Sequence, residues 1–145
     1  LLPIDFSPLS YAALPMVAAI AEKFRAEIYL LHVVESGKHL DPKQQAKEYE
    51  LFERLKDRLS EEWQLPQEFA HIETKKFVRH HLGSPGYGIL EFAQDWDIDL
   101  ITMATHGRSG LSRVMLGSVT EKVLKISPCP VLSIRSQFTN TKRIF

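Results

Sequence analysis

The sequence predicts an α/β protein: a single open sheet of five parallel strands, with helices on both faces. Three observations carry this. Short apolar, β-rich runs alternate with longer helical patterns five times along the chain. The strand candidates are apolar on both faces, as buried parallel strands are. The 145 residues, 44% hydrophobic and 25% charged, suit one domain with one well-buried core.

Leu1, Leu2, Pro3 and Ile4 read as a buried strand. Ser7-Pro8 supplies a capping hydroxyl followed by proline at the first helical position, so a helix is expected over 8–24. Pro15 lies inside it and should bend or break it, because proline removes a helix hydrogen bond. The run over 27–34, Glu-Ile-Tyr-Leu-Leu-His-Val-Val, is the second strand. Asp41-Pro42 repeats the cap-plus-proline signal and opens a helix to about Trp63. In it Tyr49, Phe52, Leu55, Leu59 and Trp63 form one apolar stripe that reads as core packing.

A third strand is expected over 72–79, then a break at Gly83-Ser84-Pro85 and a helix over 86–95 whose first turn is weakened by Gly86 and Gly88. The run over 100–103 is the fourth strand, followed by a loop over 105–113. Ser118 and Glu121 fit a capping box, placing a helix over 119–126. Pro128-Cys129-Pro130 ends it, and 131–135 is the last strand. The domain thus spans 1–135, and the tail over 136–145 has no pattern.

Composition excludes several functions. Lysine plus arginine equals aspartate plus glutamate at 18 each, which leaves no cationic excess to hold a nucleic acid. The apolar runs are too short to cross a bilayer. A lone cysteine, Cys129, rules out a disulfide framework and fits a reducing, cytoplasmic compartment. It has no base beside it in sequence, so it reads as a structural thiol. His80 and His81 are adjacent on a strand and point to opposite faces, so with His71 they read as solvated rather than metal-binding. Trp63 and Trp96 read as core or rim packing. No P-loop sequence is present.

Ligands of open α/β sheets settle outside the carboxyl ends of the strands, where strand order reverses. Pro3, Ile4 and Asp5 should meet there with the segment after the fourth strand. Gly107 and Gly110 permit close backbone approach, and Gly117-Ser118 lies where the last helix begins. Free amides and the helix dipole at that point suit a phosphate chain. Helix capping and an ordinary glycine turn explain the same residues, and both readings stand at this level.

The segment Met103-Ala-Thr-His-Gly107 through Gly117-Ser118-Val119 resembles the nucleotide signature of ATP-binding universal stress proteins: Gly, two residues, Gly, nine residues, Gly-Ser or Gly-Thr. Gly107, the nine residues 108–116 and Gly117-Ser118 match it, and Ala104 replaces the first glycine. The opening Leu-Pro-Ile-Asp-Phe-Ser, the Leu-Leu-His-Val run ending at Val33 and the closing Pro-Cys-Pro-Val-Leu are also similar to the family. The resemblance implies strand order 3-2-1-4-5 in a Rossmann-like sheet, and a homodimer. It also implies an ATP-binding stress-response protein that acts as a nucleotide-dependent sensor or switch. ADP or AMP are alternatives to ATP, and Mg2+ would be held through the phosphates.

By the same resemblance Asp5 and the main chain of Val33 contact adenine, with Pro3 and Ile4 as the neighbouring wall. Met103 and Ala104 flank the ribose, and Gly107, Gly117, Ser118 and Val119 cradle phosphate. Arg108 and Ser109 are added on physical grounds, because a guanidinium and a hydroxyl in that loop could reach terminal phosphates. If the position of Ala104 required positive φ, alanine would strain the loop by roughly 1 kcal/mol or more. If glycine only allowed close ligand approach, the methyl group would loosen ribose binding modestly, so reduced affinity is expected at most. No general base is positioned, so hydrolysis is expected to be slow at most. The alternatives are a nucleotide-independent dimeric stress scaffold and a weak ATPase. The dimer is expected through the edge strand over 131–135, with Val131, Leu132 and Ile134 available for pairing. No nucleic acid or membrane partner is expected.

Overall fold

The computed structural model describes residues 1–36, 42–104 and 117–134. The elements run β1 (Leu2–Ile4), α1 (Pro8–Ala12), α2 (Leu14–Phe24), β2 (Ile28–Ser36), α3 (Pro42–Glu62), a short 3-10 turn (Gln67–Phe69), β3 (Thr74–Leu82), α4 (Pro85–Asp95), β4 (Ile101–Ala104), α5 (Ser118–Ile126) and β5 (Val131–Ile134). The helix expected over 8–24 is two helices. They part at Ala13, and Pro15 sits in the first turn of α2, where its missing N–H costs nothing.

All the strand pairs are parallel. β2 lies between β1 and β3, and β4 pairs with β5. The expected single sheet is therefore formed as two ladders. Their inner edges meet where the Thr102 N–H donates to the Leu1 carbonyl at 2.8 Å and the Leu1 nitrogen donates to Leu100 O at 2.8 Å. With only three residues in β1, that seam is short.

The two faces of the sheet carry two cores. Leu2, Ile4, Leu30 and Ile134 pack with Leu14, Val17 and Ala18 of α2 and with Leu59 and Trp63 on the α3 side. Leu31, Val33, Ile101 and Met103 pack on the other face with Ile89, Phe92 and Ala93 of α4 and Val123 of α5. Alternation along β2 sends Leu30 and His32 one way and Leu31 and Val33 the other. The α4 helix seats closely because residue 88 has no side chain. A Cβ there would stand 2.7 Å from Val33 Cγ1 and 3.0 Å from His81 Cβ. Gly88 is thus a packing residue, whatever it costs the first turn of the helix.

β3 extends three residues beyond the expected end, to Leu82, and takes in His80 and His81. An edge strand rich in lysine, arginine and histidine carries little apolar alternation to mark its limits, and its charges blunt the open edge. Among the described residues no helix is long and apolar enough to cross a membrane.

Candidate functional site

The turn after β1 is tightly bonded. Asp5 Oδ1 accepts from the Ser7 N–H at 3.0 Å and from Ser10 Oγ at 2.6 Å. Ser7 Oγ in turn accepts from the Ser10 N–H at 3.2 Å, capping α1 as its sequence predicts. Between them Phe6 takes a left-handed conformation, φ 58. For a residue with a Cβ this costs about 1–2 kcal/mol. Ring contacts offset it: Phe6 meets His32 at 4.7 Å and Trp63 at 6.0 Å, and the Arg58 guanidinium lies 4.5 Å from its centroid. His32 Nδ1 stands 2.8 Å from the Ile4 carbonyl oxygen, and a carbonyl only accepts, so the ring nitrogen donates.

Across the cleft stands the start of α5. Its N-cap is Gly117, at φ −62 and ψ 145, and no side-chain capping bond is formed among the described residues. The expected capping box is therefore not formed. Ser118 is the first helical residue and is exposed, while the Glu121 side chain turns the other way, to Lys125 Nζ at 2.7 Å. That hydrogen bond holds the Glu121 carboxyl below its ordinary pKa. The Ser-x-x-Glu spacing cannot tell a box from a helix that begins one residue earlier. The end is tied to the sheet by Thr120, whose hydroxyl donates to the Ala104 carbonyl at 3.2 Å. An anion at such a helix start gains on the order of 0.3–2 kcal/mol from the dipole.

Ala104 itself ends β4 in ordinary strand geometry and is not among the residues of positive φ. The strain that an alanine at this position would have caused does not arise.

Between these walls lies a cleft of about 550 Å3 at the carboxyl ends of β1, β2 and β4, a size common for small-molecule sites. Pro3, Ile4, Asp5, Val33, Met103, Ala104, Gly117, Ser118 and Val119 all line it. The structure thus brings together every described residue that the sequence nominated. Gly107, Arg108 and Ser109 lie outside the described residues. Sequence reasoning missed His32, Glu35, Leu51, Leu55 and Pro85. The stripe of α3 explains one of these: Leu59 and Trp63 are buried, but the same stripe continues past the core to Leu55, which lines the cleft; Leu51, 48% exposed and one turn before Leu55, lines it as well. Of the other stripe residues, the side chains of Tyr49 and Phe52 are not described.

The remaining candidates are structural. His71 faces Glu22 at 3.6 Å on the surface, and His80 is exposed. His81 departs from the solvated reading: its side chain is only 14% exposed, because it packs against α4 beside Gly88, with Nε2 3.4 Å from Glu91. Among the described residues no group of histidine, cysteine and acidic side chains could hold a metal. Cys129 is a free thiol whose amide and carbonyl both bond to Ser127 Oγ. Trp63 is core and Trp96 is rim, stacked on Phe92. On β5, Leu132 is exposed, while the Ile134 side chain is 7% exposed and belongs to the core. Arg135 and the tail lie outside the described residues.

Fold and cleft together define an α/β protein with parallel strands and a small-molecule cleft at their carboxyl ends. The chain belongs to the universal stress protein family, whose sequence profile matches residues 1–135. It is 34% identical over 135 residues to universal stress protein MJ0531 of Methanocaldococcus jannaschii, covering 92% of this chain and 79% of that one. It is 33% identical over 150 residues to MJ0577 of the same organism, covering 93% of each. The solved structure of MJ0577 superposes with a TM-score of 0.71 at 28% identity, over 92% of each chain. A universal stress protein from Archaeoglobus fulgidus, solved in complex with dAMP, shares the fold at a TM-score of 0.59 and 17% identity, covering 91% of this chain and 93% of that one. Another, solved in complex with cAMP, does so at 0.58 and 22%, covering 92% and 93%.

Proposed function

We propose that the cleft binds an adenine nucleotide, ATP foremost, and that occupancy makes the protein a nucleotide-dependent switch in a stress response. The observation that carries this is the convergence of two unlike walls on one cleft. A carboxylate held at the end of β1 shares the cleft with a helix start whose cap residue, Gly117, has no side chain of its own. A base with amino donors suits the first wall and an anion suits the second. Relatives of the same fold solved with dAMP and cAMP carry adenine, which supports the base assignment.

In this reading Pro3, Ile4 and Val33 flank adenine, with Asp5 accepting from it. Met103 and Ala104 border the ribose, and Gly117, Ser118 and Val119 meet phosphate. Gly107, Arg108 and Ser109, outside the described residues, are assigned to phosphate on the sequence alone. Mg2+ would ride on the phosphates and water; Asp5 Oδ1 already accepts two hydrogen bonds, which disfavours it as the main ligand. The proposal includes one continuous sheet of order 3-2-1-4-5 across the β1–β4 seam, a cytoplasmic location and hydrolysis that is slow at most. It also includes a homodimer through β5, supported by the exposed Leu124, Ile126 and Leu132.

The test has two parts. Purified protein is heat-denatured and its supernatant chromatographed for adenine nucleotide, and stripped protein is titrated calorimetrically with ATP and Mg2+. Carried-over nucleotide or saturable heat at micromolar ATP is expected. Neither, on folded protein, would overturn the reading.

A further inference from the structure

We infer that His32 is a positioning residue of the cleft: by donating to the Ile4 carbonyl and packing edge-on against Phe6, it aims the carboxylate of Asp5 at the bound base. The inference rests on the nucleotide reading of the cleft and adds to it a residue that sets the base-recognition corner.

Three consecutive residues are held by three different devices. Ile4 is held at its carbonyl by His32 Nδ1, 2.8 Å away. Asp5 is held at Oδ1 by the Ser7 N–H and Ser10 Oγ. Phe6, left-handed at φ 58, is held by the rings of His32 and Trp63 and by Arg58. The serine bonds fix Asp5 to α1, and His32 joins that unit to the sheet. β1 is only three residues long, so a ladder alone does little to fix the last peptide plane of the strand. Rotation about that plane would swing the Cα–Cβ direction of Asp5, which follows it directly. The left-handed Phe6 makes the turn costly to hold, so the corner needs the clamp. Val33, the next residue on β2, lines the same cleft, so His32 places its clamp beside the other proposed base contact.

The consequence is selective. Loss of the clamp should weaken ligands that carry the base and leave inorganic tripolyphosphate, which touches only the α5 wall, unaffected. His32→Asn keeps an N–H donor at the place of Nδ1, whereas His32→Leu removes it.

The test uses the full chain. In the ligand-free wild type, nitrogen NMR of the imidazole should find the proton on Nδ1, with a coupling across the hydrogen bond to the Ile4 carbonyl. An Nε2–H tautomer without that coupling overturns the inference and needs no variant to fold. The carbonyl resonance of Ile4 and the carboxyl resonance of Asp5 should move in His32→Leu and return in His32→Asn. Calorimetry should then show adenosine and ATP weakened about tenfold in the leucine variant, the size of one net hydrogen bond, with affinity recovered in the asparagine variant. Unmoved resonances in a folded leucine variant, or equal impairment of both variants, would also overturn it. A wild type that binds no nucleotide but shows the Nδ1 proton and the resonance pattern removes the nucleotide reading and leaves the positioning role in place.

Discussion

The two walls of the cleft are built on opposite plans. At the end of β1 side chains do the work: Asp5, Ser7, Ser10, His32 and Phe6 are bonded or packed to one another before any ligand arrives. At the start of α5 the main chain does it, with Gly117 as a cap that has no side chain to offer and Ser118 exposed. The first wall is preorganised for shape and hydrogen-bond pattern, and the second offers charge stabilisation to any suitable anion. Specificity should therefore reside in the β1 corner, while dependence on phosphate number should reside at α5.

Substitutions can separate the two. The largest effect is expected for Asp5→Ala, which removes the cleft carboxylate and releases the Ser7 amide and the Ser10 hydroxyl. Hydrogen bonds to charged groups contribute about 1.5–3 kcal/mol, so adenosine and ATP should both weaken about 10- to 100-fold by calorimetry. Equal affinity of Asp5→Ala and wild type would place base recognition elsewhere.

Next comes Ser118→Pro. Proline is well tolerated at the first helical position, and Gly117 already holds the extended geometry that a residue before proline prefers. The fold should be unharmed, but the N–H of a residue that lines the cleft is lost. ATP should weaken about tenfold while adenosine is unchanged, since about 1.4 kcal/mol is one decade. A loss shared by adenosine would contradict the division of labour.

Gly88→Val damages the ground behind both walls. The added side chain meets Val33 and His81, and overpacking of this kind costs about 1–3 kcal/mol, read as a lower urea midpoint. An unchanged midpoint would mean that α4 seats more loosely than the contacts imply.

The smallest effect is expected for Ala104→Gly, which restores the signature glycine. Because Ala104 needs no positive φ, its ATP affinity should stay within about threefold of wild type, a difference under about 0.7 kcal/mol. A gain of tenfold or more would show that the methyl group obstructs the ribose.

The sequence made some of this visible and hid the rest, for physical reasons. Ser7-Pro8 and Pro15 place the α1 start and the α1–α2 break because proline geometry is local and rigid. The glycine spacing up to Gly117-Ser118 nominates the anion wall for a different local reason: residues without a Cβ let the main chain come close to a ligand. His32 was invisible as a site residue because its bond to Ile4 spans 28 positions and depends on the pairing of β1 with β2. Leu55 was hidden in another way, since one apolar stripe serves both core and cleft and periodicity cannot say where burial stops. The misassigned capping box shows that a polar spacing fixes a helix start only to within a residue.

The most direct test of two unlike walls meeting on one ligand is a crystal structure with ATP and Mg2+. The account predicts adenine against Asp5 and Val33, with phosphate oxygens at the amides of Gly117, Ser118 and Val119. Nucleotide bound in the reverse sense, or seated outside this cleft, would contradict it.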